Sequence, residues 1–185
     1  MNSIQTERLT LRPLEPGDAA QLWPIWADEE VVKNTYIPLA HSEEDCRESI
    51  EWLVKAALSR KDLGPFAIYK QERLIGIVGA ARDSSFEFGL YYHLGREFWG
   101  QGYATESAKV LVAAAFAFPE IVRVSADALT TNPASSRVLE KIGMKFEGCL
   151  RMKFYREGTY GDLHTYSLLR KEYSAFETSS VCLER

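Results

Sequence analysis

The sequence predicts an α+β fold in which helices flank a mixed, mostly antiparallel central sheet. Three observations carry that expectation. Strand-like alternation and helical periodicity succeed one another in the order β-α-α-β-β-β-loop-α-β-α-β-β. Strand runs joined by short polar segments pair as hairpins, which are antiparallel. One β-loop-α-β unit is set among them, around Gly100-Gln101-Gly102.

Each element has its own local signal. Leu9 and Leu11 alternate with Arg8, Thr10 and Arg12, as a half-buried strand does. Pro16-Gly17-Asp18 makes a turn, and Asp18 is placed to cap a helix running to Trp26. A second helix starts at Ser42 with Glu43, Glu44 and Asp45 in its first turn, where the helix dipole favours carboxylates. Its apolar stripe is Cys46, Ile50, Leu53, Ala57 and Leu58. Two β-rich runs, 66–69 and 74–80, form a hairpin around the polar 70–73. The strand over 85–94 puts Phe86, Phe88, Leu90, Tyr92 and Leu94 on one face, and Glu87, Gly89, Tyr91 and His93 on the other. After the glycine loop a helix spans 104–118, ended by Pro119, with Ala104, Ala108, Leu111, Val112 and Ala115 inward. A strand over 122–129 precedes Asn132-Pro133, an N-cap followed by a proline at the first helical position. That short helix carries Ala134, Val138 and Ile142 inward and stops at Gly143. Runs 144–154 and 162–169 close the fold as an antiparallel pair around Glu157-Gly158.

Composition bounds the function classes. The 185 residues suit one domain, with a core over about 7–170 and a frayed tail at 178–185. The net charge of −4 argues against nucleic acid as a partner. Cys46, Cys149 and Cys182 form no CxxC or Cys/His cluster, so neither a disulfide framework nor a metal site is expected. Free thiols fit a cytoplasmic protein. Glu7, Arg8 and Arg12 interrupt any signal-like stretch, and the longest apolar run, 110–118, is too short for a membrane span.

A glycine loop between a strand and a helix N-terminus lets unhindered amides converge on one anion. A GxG is also what a tight turn looks like. Thr105 stands where a dinucleotide fingerprint needs a small residue, and the loop lacks the lysine of a P-loop. What remains is a diphosphate held by backbone amides, which suits coenzyme A better than phosphoryl transfer.

FEFGLYYHLGREFWGQGYATES followed by NPASSRVLEKIGMKFEGCLR resembles the GCN5-related N-acetyltransferase (GNAT) superfamily. Within it the likeness is to the RimJ/RimL-like ribosomal-protein N-terminal acetyltransferases. TERLTLRPL resembles that type's first strand, and GTYGDLHTYSLL its last hairpin, so the resemblance spans about 7–169. It implies the GNAT (acyl-CoA N-acyltransferase) fold, with acetyl-CoA as co-substrate lying across two splayed strands. The pyrophosphate would rest on the amides of Trp99, Gly100, Gln101, Gly102, Tyr103 and Ala104. The pantetheine arm would pair with the strand ending at His93 and Leu94, and Asn132 would hydrogen-bond it. The superfamily's Arg or Gln three residues before the first loop glycine is replaced by Glu97, which is expected to turn to solvent.

Direct aminolysis needs a neutral amine, an oxyanion donor, a proton for the leaving thiolate and alignment. The expected catalytic residues are Glu87 as base, alternating with bulky apolar residues, and Ser135 as proton donor to the thiolate. Glu87 could equally pair with Arg82 or Arg123, and His93 is either a second base or a satisfied histidine. The superfamily's usual tyrosine acid is replaced by Leu139, and the oxyanion donor is expected near Gly89 to Tyr91. A covalent route through Cys149 is set against packing in a strand, which is favoured. Tyr36, Tyr91, Asp162 and His164 are the expected acceptor contacts, while Trp52 is expected in the core. The expected partners are acetyl-CoA and an amine, with neither nucleic acid nor membrane, for a monomer or a homodimer. A protein N-terminal amine leads; a small-molecule amine, or a catalytically silent CoA-binding module, are the alternatives.

Overall fold

In the computed structural model, residues 3–173 are described. The expected 178–185 tail lies outside them. The elements are β1 (Ile4–Gln5), β2 (Thr10–Pro13), α1 (Ala19–Trp26), α2 (Glu29–Val32), α3 (Glu43–Arg60), β3 (Leu63–Lys70), β4 (Arg73–Arg82) and β5 (Glu87–Leu94). They continue with α4 (Tyr103–Phe116), β6 (Arg123–Leu129), α5 (Pro133–Lys141), β7 (Lys145–Arg156) and β8 (Thr159–Leu169). The strands form one eight-stranded sheet in the order β1-β2-β3-β4-β5-β6-β8-β7. All neighbours are antiparallel except β5 and β6.

The sheet buries both faces. On one face Phe88, Leu90, Val124 and Leu168 pack against Leu111, Val112 and Ala115 of α4 and Leu139 of α5. On the other, Ala67, Leu74 and Ile77 pack against Leu22 and Trp26 of α1 and Ile50 and Leu53 of α3. The period-2 pattern of β5 and the helical periods of α3 and α4 dictate those faces. Burial of this apolar surface is the chief stabilising term, at roughly 25 cal/mol per Å² removed from water.

Several expectations need correction. Leu58 and Trp52 of α3 are 76% and 67% exposed, because the helix turns only a narrow stripe to the sheet. Phe86 precedes β5 and is exposed. Asp18 is buried and does not cap α1 with its side chain. Its carboxylate instead takes Arg12 at 2.5 Å and the Tyr69 hydroxyl at 2.7 Å. Leu139 of α5 and Ile142 just after it are buried, while Ala134 and Val138 border a cavity. Cys149 is exposed, because β7 is the sheet's edge strand. No helix among the described residues is long and apolar enough to cross a membrane.

Candidate active site

The site begins where two strands stop pairing. β5 and β6 are in register only at Glu87↔Arg123, Phe88↔Val124 and Gly89↔Ser125. β5 continues along β4 to Leu94, and β6 continues along β8 to Leu129. Past Gly89 and Ser125 the strands therefore part, and every second backbone N–H and C=O of β5 faces a gap instead of a strand. The gap opens into a cavity of about 890 Å³ bordered by residues 89–94 and 125–129.

One wall is the turn into α4. A short 3-10 segment (Arg96–Phe98) leads to Gly100 and Gly102, whose φ angles of 73° and 84° are cheap only for glycine. Gly102 is the N-cap of α4 and brings no side-chain oxygen to its first turn. The orphan amides there, at the positive end of the helix dipole, are left to whatever anion enters. Arg8 rivets this turn from the far end of the chain. Its Nη1 donates to the Gln101 carbonyl at 3.0 Å, its Nε donates to Glu106 Oε2 at 2.7 Å, and its guanidinium lies 4.6 Å above the Tyr103 ring. Glu106 also accepts from Thr6 Oγ1 at 2.6 Å. The sequence reading missed this role: Arg8 and Glu106 are 98 residues apart, and only their opposite charges hinted at it. Glu97 pairs with Arg73 at 2.5 Å.

The second wall is α5. Asn132 Oδ1 accepts from the Ser135 amide at 3.2 Å, capping the helix. Ser135 Oγ lies 2.9 Å from the Tyr92 hydroxyl. Burial pushes the Tyr92 phenol up to about 12, so it keeps its proton. Tyr92 was read only as an apolar-face residue; its phenol, in reach of Ser135, could have suggested more. Arg137 and Lys141 of α5 also border the cavity and supply positive charge despite the acidic chain.

The opposite side carries carboxylates and aromatic rings. Asp83, from the β4–β5 turn, and Asp127, on β6, border the cavity with Tyr36, Trp52 and Arg60. Tyr36 stacks on Phe154 with centroids 5.0 Å apart. The loop carrying Tyr36 is pinned by Arg156, whose Nη1 donates to the carbonyls of Val32 at 2.5 Å and Ile37 at 2.9 Å.

Of the expected site residues, His93, Leu94, Trp99, Gly100, Gly102, Tyr103, Ala104, Asn132, Ser135, Tyr36 and Tyr91 all border this one cavity. Four stand apart. Gln101 is exposed and folds its side chain onto the Glu97 carbonyl at 2.7 Å. Glu87 accepts from Arg123 Nε at 2.8 Å, and Arg123 also holds both oxygens of Glu147. Glu87 sits on the first paired rung of β5 and β6, before the strands part. Leu163 turns toward the cavity, so strand alternation sends its neighbours Asp162 and His164 to the other face. Asp162 Oδ1 accepts from the Met152 amide at 2.8 Å, and His164 stacks edge-on against Phe146.

His93 also needs correction as a candidate base. Its imidazole is buried, and its Nε2 accepts from the Trp26 indole at 2.5 Å. Burial pushes its pKa down to about 4, so it is neutral and its lone pair is already engaged. Cys149 does not border the cavity.

Comparison with known proteins bears on this geometry. Residues 8–145 match the family model described as the acetyltransferase (GNAT) domain. The uncharacterized N-acetyltransferase p20 of Bacillus licheniformis is 31% identical, over 94% of this chain and 99% of that protein. The putative ribosomal N-acetyltransferase YdaF of Bacillus subtilis is 30% identical, over 90% and 94% respectively. A solved structure of RimL, the ribosomal L7/L12 alpha-N-protein acetyltransferase in complex with coenzyme A, superposes with a TM-score of 0.79. It covers 91% of this chain and 97% of that one at 20% identity, a likeness of fold.

Proposed function

Since the chain belongs to the GNAT family of acetyltransferases, we propose that it moves the acetyl group of acetyl-CoA directly to the α-amine of a protein N-terminus. One observation carries the reading: the gap between β5 and β6, the glycine turn at α4 and Ser135 share a single cavity. The cradle fits the co-substrate. First-turn amides of α4 suit its pyrophosphate, and the unpaired edge of β5 suits the amides of its pantetheine arm.

Ser135 is assigned the proton that the departing thiolate takes. The Tyr92 hydroxyl would replace it across their 2.9 Å contact. Asn132 orients Ser135 by capping the helix that carries it. An α-amine, with a pKa near 8, is partly neutral at physiological pH, whereas a lysine amine near 10.4 is not. The name of the 30% identical ribosomal-type relative supports a protein terminus.

The carboxylates of Asp83 and Asp127 favour a second reading, a small polycationic amine. Thiol release measured against a peptide with a free N-terminal serine and against spermidine separates the two. The leading reading expects kcat/KM at least about tenfold higher for the peptide, a difference of about 1.4 kcal/mol in transition-state binding. Preference for spermidine would replace it with the second.

A further inference from the structure

We propose that Asp83 is the general base of the transfer, taking the seat for which Glu87 was the sequence-based candidate. The proposal rests on the acetyl-transfer reading above.

The geometry starts at Gly89, on the last rung that β5 shares with β6. A Cβ placed on Gly89 would stand 2.4 Å from Asp83 Oδ2. The carboxylate therefore lies directly on the bare Cα, at the point where the strands part, and only glycine admits it. The turn that delivers it is closed by Asp83 N–H donating to the Glu87 carbonyl at 3.2 Å.

Its neighbours tune it. From β5 it faces Glu87, from the segment between α3 and β3 Asp62, from β6 Asp127, and from α3 Arg60. Arg60 is committed to Asp62 at 2.6 Å, and Glu87 is committed to Arg123. Asp83 is open to the cavity, yet the protein around its carboxylate is enough for desolvation to lead an upward shift of its pKa, reinforced by Glu87 and Asp62. A carboxylate shifted upward is a stronger base.

The proton accounting closes. An ammonium acceptor loses one proton to solvent before attack. As its nitrogen bonds to the acetyl carbon, Asp83 takes the second proton. The C–S bond then breaks, the thiolate takes the proton offered through Ser135, Asp83 returns its own to solvent, and the Ser135–Tyr92 pair regains one from solvent, for a net release of one proton.

The test uses the full chain with acetyl-CoA and the serine peptide as acceptor. Asp83→Asn should lower kcat/KM about 10²-fold and abolish the acid limb that belongs to the carboxylate. Acetyl-CoA affinity by calorimetry should stay within about twofold, the size of an effect with no direct contact. Gly89→Ala leaves the carboxylate in place chemically but pushes it off its seat, and should produce the same loss. Full activity with an unshifted pH profile in both variants would overturn the base and leave the transferase reading standing. Absence of transfer to any amine by the wild-type protein would remove the transferase reading, and Asp83's role with it.

Discussion

Ser135→Ala is expected to lower kcat about 10²-fold, at the low end of what a positioned proton donor contributes. The low end applies because an ordinary thiol, with a pKa near 8.5, already leaves reasonably well as a thiolate. Acetyl-CoA affinity should hardly change, since the glycine turn and the β5 edge are untouched. Tyr92→Phe should give a smaller loss in the same direction. It removes the group 2.9 Å from Ser135 Oγ without removing the donor itself. Steady-state kinetics with saturating acetyl-CoA checks both. A Ser135→Ala enzyme with wild-type kcat would place the thiolate's proton in water.

His93 should make the protein acid-sensitive over a defined window. Its pKa is about 4 in the fold against 6.5 when unfolded, because burial against Trp26 disfavours the imidazolium. The folded value is depressed, so the stabilisation is fully present above pH 6.5 and is lost as pH falls through about 4. The full loss is about 3 kcal/mol, from about 1.4 kcal/mol per pKa unit. Part of it is already felt near pH 5, where unfolded chains have taken up the proton and folded ones have not. His93→Gln keeps an acceptor for the Trp26 N–H and cannot titrate. Urea unfolding at a series of pH values should show the variant's penalty near neutrality shrinking by about 3 kcal/mol toward about pH 4. Parallel stability curves for the two proteins would contradict the assignment.

Glu147 adds a separate effect at lower pH. Arg123 and the Ser167 hydroxyl hold its carboxyl at about 2, below the ordinary 4.5. Its stabilisation is therefore present above pH 4.5 and lost as pH falls toward 2. The His93→Gln comparison isolates the upper window, because Glu147 is common to both proteins.

Features written in contiguous residues were legible in the sequence. The Gly100-Gln101-Gly102 turn, the α4 start and the Asn132–Ser135 cap depend on neighbours within a few positions, and the structure has all of them. The alternation of β5 also held, with Phe88, Leu90 and Leu94 buried. What alternation cannot say is where along a strand pairing stops. Glu87 and Gly89 share a face, but Glu87 lies across from Arg123 on a closed rung and Gly89 lies at the opening. The informative signal was the missing side chain at Gly89, which makes room for Asp83. The ties that fix the site, Arg8 to Glu106 and Arg156 to the loop after α2, join segments about a hundred residues apart. No local pattern encodes them. Cys149 and Trp52 were misjudged for a related reason: an apolar residue is buried only if something covers it, and neither an edge strand nor the outer flank of α3 is covered.

The central claim is that one cavity brings acetyl-CoA and an amine together, with no acetylated protein in between. Intact-mass spectrometry tests it most directly, following protein and acceptor in one time course. The serine peptide should gain one acetyl group for each thiol released, and the protein incubated with acetyl-CoA alone should keep its mass. A protein that gains an acetyl group and passes it to the peptide, through Cys149 or any other residue, would contradict it.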